Sequence, residues 1–425
     1  MRKSVGKKLN IFFALILLLA VVYSCCACAF QINAAGETRE PTKEDEVELI
    51  VVSDKYGEYE TYDKWLDSKL SDNLVTRAEW LCILFDALDI EVRYDLSEKY
   101  SGFIDIDDSD NNDVIMTAIE YGYVSGKSKN FGADTPATRQ YVANTLINAG
   151  GYNTDFTLEC EDADTVRDKN QVAAALHYGF MNLDSYGYFN TYYEIAPDEV
   201  RNILSELNTR KEWENKKILS FGDSIMHGDG NKRIPLSQLI ADKYMMSVSD
   251  YSIGGATFGY YEYSGQICNQ ILAAIQNREM ADVILINGGT NDMRWVNAGE
   301  ISEDFDYGIC GRETFASGME YALWLLKTHY PDVPVVYVRA HDMVCTYEAN
   351  EFYYGSMALE ICEKWDVSVA DVFSETDFDC HDSQIRLQYT AKLHNHYEGD
   401  SIHPNYEGYK KFYIPLIVEK MKSVL

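Results

Sequence analysis

Basic residues are scarce in this sequence, and their shortage restricts the partners of the protein. Lysine and arginine together number 37 against 68 aspartate and glutamate residues, which gives a formal net charge of −31. A surface so negative repels phosphate backbones and anionic membranes, so nucleic acid and anionic lipid surfaces are poor partners. Neutral polymers, or polymers that contact the protein through bridging cations, remain possible partners.

Closely spaced cysteines and metal-binding motifs are also missing beyond the first 29 residues. The chain has 10 cysteines, and those beyond the first 29 residues are scattered, which argues against a disulfide framework. Beyond those residues there is no CxxC pair and no HExxH motif, so the rest of the sequence offers no zinc site of known spacing. The acidic stretch at 105–113, DIDDSDNND, lacks the central Gly and final Glu of an EF-hand loop and is interpreted as a solvated turn. We therefore expect no cofactor and no bound metal.

The apolar run at residues 11–23 is too short for a comfortable membrane span, which takes about 20 residues. Basic residues precede this run and small residues follow it, so residues 1–29 are interpreted as a signal peptide. Ala27-Cys28-Ala29 fits its cleavage site. A lipid anchor on Cys25 is the alternative, although Tyr23 and Ser24 make a poor lipobox. We expect a protein that is either secreted or associated with the cell surface or cell wall.

The composition divides the rest of the chain into segments. Residues 30–57 are polar and acidic and are interpreted as a linker. Residues 58–208 are predicted to be mostly helical, with a weak internal repeat whose period is about 60 residues. Two copies begin at Thr-capped amphipathic helices, near residues 75–88 and 135–150. A third, degenerate copy ends near 195–204.

The repeat carries a short motif at the start of each of these helices. Thr76-Arg77-Ala78-Glu79 is the best preserved copy, the second keeps Arg139, and Ala196-Pro197-Asp198-Glu199 has lost the arginine. This pattern resembles the S-layer homology domain, which holds proteins on bacterial wall polymers. The resemblance implies that Arg77, Glu79 and Arg139 bind a wall glycan, with the two arginines paired with its anionic groups. The alternative is a helical spacer that keeps the fold without the ligand.

After a charged segment at 209–216, interpreted as a second linker, short apolar strands alternate with helical stretches through 217–425. That alternation predicts an α/β fold with a parallel sheet covered by helices on both faces. Ligands of such sheets gather at the carboxyl ends of the strands. The predicted strands lie in the segments 217–222, 247–255, 282–289, 334–340 and 367–372.

Residues with catalytic chemistry follow these strands. The first strand stops at Ser224, outside the usual Gly-x-Ser-x-Gly elbow, and later strands end near Gly255 and Asn291. Asp400 and His403 stand three residues apart near the end of the chain. Each alone fits a turn or a helix cap, but together they supply what acyl transfer needs. Ser224 would be the nucleophile, His403 its base and Asp400 the group that orients the base.

Residues 217–425 resemble the SGNH or GDSL-type hydrolases in four sequence blocks. The blocks lie around Ser224, around Gly255, around Asn291, and from Asp400 to His403. The resemblance implies a flavodoxin-like doubly wound five-stranded parallel sheet, preceded here by the S-layer-homology-like helical region. It also implies an oxyanion hole made by the N–H groups of Ser224 and Gly255 and by the side-chain amide of Asn291.

The substrate has to be inferred from other features. Predicted export, a wall-anchor-like region and 32 tyrosines favour an esterase that removes acyl groups, acetyl first among them, from carbohydrate or cell-wall-related esters. Four aromatic residues near the site loops could stack on sugar rings, although packing is an equally good reason for them: Tyr260, Tyr261, Tyr263 and Trp295.

Three alternatives stay open from the sequence. The first is a lipid acyl esterase or lysophospholipase, and the second is a wall-binding scaffold with an idle hydrolase fold. The third is a metal site, in which His394, His396 and His403 would join Asp400. This last alternative leaves Ser224 and Asn291 unexplained.

Overall fold

The computed structural model describes residues 66–425 except 69, 71–74, 97–104, 107–110, 127–128, 310, 345–347 and 394–395. The predicted signal peptide, the acidic linker and the first part of the predicted helical region (58–65) lie outside the described residues. The chain divides into two compact units, Met1–Ser71 and Asp72–Leu425, and the elements below belong to the second. None of the helices in the described part is long and apolar enough to cross a membrane.

The second unit contains a helical region followed by alternating strands and helices. The helical region comprises α1 (Arg77–Ala87), α2 (Asn112–Glu120), α3 (Arg139–Gly150), α4 (Lys169–His177) and α5 (Pro197–Trp213). Then come β1 (Lys217–Phe221), α6 (Ser224–His227), α7 (Leu236–Tyr244), β2 (Ser247–Asp250), α8 (Ile267–Gln276), β3 (Val283–Asn287), α9 (Asp292–Trp295), α10 (Phe315–His329), β4 (Val335–Arg339), α11 (Glu348–Lys364) and β5 (Ser368–Asp371). The chain ends with α12 (Val372–Glu375), α13 (Ser383–Tyr389), α14 (Tyr406–Gly408), a π-helical turn (Tyr409–Tyr413) and α15 (Ile414–Lys422).

The five strands form one parallel sheet in the order β2-β1-β3-β4-β5. Side chains alternate across each strand, so neighbouring residues enter different cores. Leu219 and Phe221 of β1 pack with α8, α10 and α11, whereas Ile218 packs with α7 and α15 on the other face. The prediction of a doubly wound, five-stranded parallel sheet is confirmed. Its strand order reverses at β1, which places the carboxyl ends of β1 and β3 beside a crevice.

The helical region contains a hydrogen-bond arrangement built around a phenylalanine turn. The carboxylate of Asp105 accepts the N–H of Phe131 at 2.9 Å, and Nη1 of Arg77 donates to the Phe131 carbonyl at 3.0 Å. The arginine comes from the start of α1, where Thr76 and Glu79 form a capping box. An aspartate and an arginine thus fix both sides of one peptide turn against a helix.

The same arrangement recurs in the second copy of the repeat. The carboxylate of Asp162 accepts the N–H of Phe189 at 2.7 Å, and Nε of Arg139 donates to the Phe189 carbonyl at 2.6 Å. The guanidinium of Arg139 also lies over the Phe189 ring, 4.8 Å from its centroid. The weak periodicity of the sequence therefore has a structural counterpart in two turns held by equivalent residues.

The segment at 209–216, predicted to be a linker, belongs to a helix as far as Trp213. Its charged residues suggest a solvated segment, but Arg210 is only 4% exposed. The Arg210 guanidinium donates to the carbonyls of Lys243 and Tyr178. Trp213 packs against the Tyr244 ring, 4.9 Å away between centroids. The linker prediction is wrong here, and α5 joins the helical region to the core beneath the sheet.

Candidate active site

The nucleophile candidate lies where β1 turns into the short helix α6. Ser224 is the first residue of α6, and the Asp223 side chain caps the helix by accepting the Ile225 N–H at 2.9 Å. The Ser224 N–H precedes the first intrahelical hydrogen bond, so no carbonyl of α6 accepts it. The adjacent Gly222 carbonyl accepts the N–H of Ile253 at 3.0 Å, which ties this turn to the loop after β2.

His403 lies between Ser224 and Asp400. Its Nε2 is 3.0 Å from Ser224 Oγ, and its Nδ1 is 2.6 Å from Asp400 Oδ2. The other oxygen of Asp400 accepts the backbone N–H of His403 at 2.9 Å. An ionised carboxylate only accepts hydrogen bonds, so Nδ1 carries the proton and Nε2 is left to accept the serine hydroxyl.

The electrostatics of this pair favour a charged imidazole and a charged carboxylate. Burial alone would lower the pKa of His403, but the Asp400 carboxylate more than offsets it, and the pKa is raised above the ordinary histidine value. Burial would raise the pKa of Asp400, but its hydrogen bonds to the ring and backbone of His403 lower it below the ordinary value. His403 is therefore a stronger base than a free histidine, with a partner that stays ionised.

Two further turns approach the same sheet edge. Gly255 adopts φ +80°, in the left-handed region that disfavours other residues. The side-chain Nδ2 of Asn291 donates to the carbonyl of Ala256, the next residue, at 3.0 Å. One N–H of that amide stays available in addition to this bond. The structure thus brings together the turns that carry the two predicted oxyanion donors.

Asp292 has a role that the sequence did not reveal. It is fully buried, and its two oxygens accept the N–H groups of Phe258 at 3.0 Å and Gly259 at 2.8 Å. Burial raises the pKa of Asp292 to about 7 in spite of these donors. The carboxyl clamps the loop of Gly255 onto the turn of Asn291. Its position next to Asn291 was visible in the sequence, but the distant N–H groups that donate to it were not.

Aromatic side chains follow Gly255 and Asn291 in the chain, and we refer to Tyr260, Tyr261, Tyr263 and Trp295 as the aromatic platform. Trp295 follows Asn291 by one helical turn, and its ring stacks on Tyr261 with centroids 5.3 Å apart and planes 10° apart. Tyr263 is 79% exposed and Trp295 38% exposed. The Arg294 guanidinium lies 5.2 Å from the centroid of the Trp295 ring. The rings that meet here are therefore only partly exposed to solvent.

With this geometry established, residues 220–411 are found to match the GDSL-like Lipase/Acylhydrolase family. The carboxyl-terminal half of the chain is a GDSL-type ester hydrolase. The expectation drawn from the four blocks is confirmed at that level. No curated protein matches the chain.

Solved structures resemble the hydrolase half at low identity. A lipase/acylhydrolase from Enterococcus faecalis is 17% identical over 49% of this chain and 96% of its own, with a TM-score of 0.34. Phospholipase A1 from Streptomyces albidoflavus is 13% identical over 48% and 99%, with a TM-score of 0.32. An acetyl xylan esterase from Geobacillus stearothermophilus is 16% identical over 49% and 95%, with a TM-score of 0.32. Likenesses so distant leave the substrate of this hydrolase open.

The metal alternative places ligands on the loop that carries His403, the candidate base. His394 lies outside the described residues, and both ring nitrogens of His403 already face Asp400 and Ser224. Among the described residues, one group offers three potential ligand atoms within 4.8 Å of one another. That group is Asp342, Asp379 and His381, and it includes neither Asp400 nor His403.

The predicted wall-binding residues lie in the helical region that precedes the GDSL-type hydrolase. Arg139 is only 8% exposed, and its guanidinium is paired with Glu199 besides its bonds to backbone carbonyls. This burial conflicts with a solvent-facing role for Arg139, because its donors already have partners inside the fold. Arg77 is half-buried over the Tyr141 ring, and the Glu79 carboxylate caps α1.

Proposed function

We propose that the chain is an exported serine esterase that removes acetyl groups from carbohydrate or cell-wall-related esters. The observation that carries the proposal is the hydrogen-bonded series from Asp400 through His403 to Ser224, beside the turns of Gly255 and Asn291. A hydroxyl, an oriented base and amide donors at one sheet edge are the groups that ester hydrolysis needs.

The reaction follows from these positions. His403 Nε2 takes the hydroxyl proton as Ser224 Oγ attacks the ester carbonyl, and Asp400 stabilises the imidazolium that forms. The negative oxygen of the tetrahedral intermediate accepts hydrogen bonds from the Ser224 and Gly255 N–H groups and the Asn291 amide. As the carbon–oxygen bond to the sugar breaks, His403 protonates the departing sugar oxygen, and the acetyl group stays on Ser224. A water molecule, deprotonated by the same histidine, releases acetate from Ser224.

The aromatic platform supports a carbohydrate as the alcohol part of the ester. The C–H faces of a sugar ring are apolar, and they pack on the faces of aromatic rings. The platform lies on the same loops as Gly255 and Asn291, so a sugar stacked there would have its ester near Ser224. The net charge of −31 favours a neutral sugar over an anionic lipid.

Rates on esters that differ in one part at a time test this proposal. The mature chain should release acetate from acetylated xylan oligosaccharides, and its rate on aryl esters should fall as the acyl chain lengthens beyond acetyl. Ser224→Ala should remove both activities. Preferential cleavage of long-chain aryl esters and lysophospholipids would instead identify a lipid acyl esterase. A well-folded wild-type chain without activity on any of these esters would favour the idle scaffold.

We also propose that the protein works outside the cell, attached to wall polymer through its helical region. The leader-like residues 1–29 and the duplicated turns of Phe131 and Phe189 support this proposal. The mature full-length chain should sediment with purified bacterial walls, and rising salt should release it. Arg77→Ala should weaken sedimentation more than Arg201→Ala, an exposed arginine of the same region. If the wild type stays in solution at low salt, the helical region is a spacer.

A further inference from the structure

A second histidine lies beneath the loop that carries the triad candidates. His341 is fully buried and follows β4. Its Nε2 is 3.0 Å from the backbone carbonyl of Ser401, and its Nδ1 is 2.7 Å from the Tyr413 hydroxyl. Its ring stacks on Phe378, with centroids 4.1 Å apart and planes 13° apart. Packing and two hydrogen bonds therefore fix this imidazole.

The hydrogen bonds also fix which nitrogen of His341 carries the proton. The Tyr413 hydroxyl accepts the backbone N–H of His341 at 3.2 Å and has a single proton to donate. That proton goes to Nδ1, so Nε2 carries the ring hydrogen and donates to the Ser401 carbonyl, which can only accept. Burial lowers the pKa of His341 to about 4. The ring thus stays neutral and keeps this arrangement at ordinary pH.

Ser401 has a backbone conformation that needs support. Its φ is +65°, in the left-handed region that residues with a side chain avoid. The residue directly follows Asp400, whose Oδ1 accepts the N–H groups of Ile402 at 3.1 Å and His403 at 2.9 Å. The left-handed turn at Ser401 brings those N–H groups back to the Asp400 carboxylate. Strained conformations of this kind persist where neighbouring groups hold them.

We propose that His341 is a positioning residue, whose bond to the Ser401 carbonyl holds the turn that keeps Asp400 against the His403 ring. It touches neither substrate nor the reacting atoms. This inference rests on the proposed function, because it assigns His341 a task only if His403 is the base. Ser401 contributes a second anchor, since its Oγ donates to the Val344 carbonyl at 2.9 Å.

Two amide substitutions of His341 test its bond to Ser401 separately from the other contacts of its ring. His341→Gln places an amide N–H near the position of Nε2, so it should keep the bond to Ser401. His341→Asn places its amide near Nδ1 and loses that bond. Misplacing a catalytic group by about 1 Å can cost about 100-fold in rate. We therefore expect His341→Asn to lose about 10- to 100-fold in kcat on an aryl acetate with KM little changed, and His341→Gln to recover most of it.

A spectroscopic measurement distinguishes positioning from mere stability. The proton in the 2.6 Å bond between His403 Nδ1 and Asp400 should give a far-downfield proton resonance in wild type and His341→Gln. The resonance should weaken or move upfield in His341→Asn. All kcat values should be expressed per active site titrated with a phosphonate ester, so that unfolded protein does not count. Equal kcat and an unchanged resonance in both variants would overturn the inference.

Tyr413→Phe provides a second route if His341→Asn fails to fold. This change leaves the imidazole in place but removes the hydroxyl that fixes its tautomer, so kcat should fall while KM holds. An unaltered kcat in Tyr413→Phe would then overturn the inference. If the Ser224→Ala variant keeps the esterase activity of the wild type, both the proposed function and this inference are wrong. Ser224-dependent activity with no effect of the His341 and Tyr413 changes would defeat this inference alone.

Discussion

His403 Nε2 lies 3.0 Å from Ser224 Oγ across 179 residues of sequence. The contact joins the turn after β1 to the last loop before the closing helices. Asp400 fixes the other side of the ring, so the lone pair of Nε2 faces the serine hydroxyl. In the proposed mechanism, a base held in this way takes the proton of the serine hydroxyl.

The rate of ester hydrolysis should fall on the acid side with the protonation of His403. The histidine must be neutral to accept the Ser224 proton, and the Asp400 carboxylate raises its pKa above its ordinary value of about 6.5. The acid limb of kcat/KM should therefore have its midpoint above about 6.5. A profile that stays flat down to pH 5, with chemistry limiting the rate, is incompatible with this base.

Asp400→Asn should shift the acid limb of the kcat/KM profile and slow the reaction. An amide in place of the carboxylate no longer raises the pKa of His403 and can hold the wrong tautomer of the ring. We expect kcat to drop by about 10⁴-fold, and the remaining acid limb to shift to lower pH. Stopped assays on an aryl acetate across pH 5–9 measure both effects. A mutant with wild-type kcat would remove Asp400 from the mechanism.

Asn291→Ala should lower kcat by about 10²- to 10³-fold with little change in KM. The amide beside the Gly255 turn binds the oxyanion most strongly when the negative charge has formed, so its loss is felt in the transition state. Circular dichroism should confirm that the bond to the Ala256 carbonyl is dispensable for folding. An effect on KM alone would mean that Asn291 binds substrate in its ground state.

Trp295→Ala should affect carbohydrate esters selectively. The aromatic platform offers stacking energy of about 1 kcal/mol per ring pair, so kcat/KM on acetylated xylan oligosaccharides should fall by about 5- to 10-fold. Hydrolysis of an aryl acetate should change by less than about 2-fold, because the small ester does not need the platform. Tyr186→Ala, at an exposed aromatic of the helical region, is the matched control. Equal losses on both substrates would mean that Trp295 only packs.

Arg210→Met should destabilise the whole of the unit that runs from Asp72. The substitution keeps the length of the side chain but removes its bonds to the carbonyls of Lys243 and Tyr178 and its stacking on four aromatic rings. The free energy of unfolding in urea should drop by about 2–4 kcal/mol. Arg201→Met, on the exposed face of the same helix, should change it by less than about 0.5 kcal/mol. Equal effects would show that the buried arginine does not join the two regions.

The sequence predicts the sheet well because apolar runs of strand length alternate with helical stretches, as in Val283–Asn287, which is buried throughout. Ser224 and Asn291 were predicted as site residues for a related reason, since each lies within four residues of the end of such a run. Asp292 and His341 were missed because their roles depend on acceptors and donors far away in the chain. The linker prediction at 209–216 failed because a charged segment looks solvated, whereas the cation of Arg210 is buried among aromatic rings.

Covalent labelling with a fluorophosphonate tests most directly whether Ser224 is a nucleophile activated by His403. We predict one adduct per chain, assigned to Ser224 by peptide mass mapping and blocked by prior exposure to a slow ester substrate. Ser224→Ala should take up no label, and His403→Ala should be labelled far more slowly although folded. An adduct on another residue, or equal labelling of Ser224→Ala and the wild type, would contradict the account.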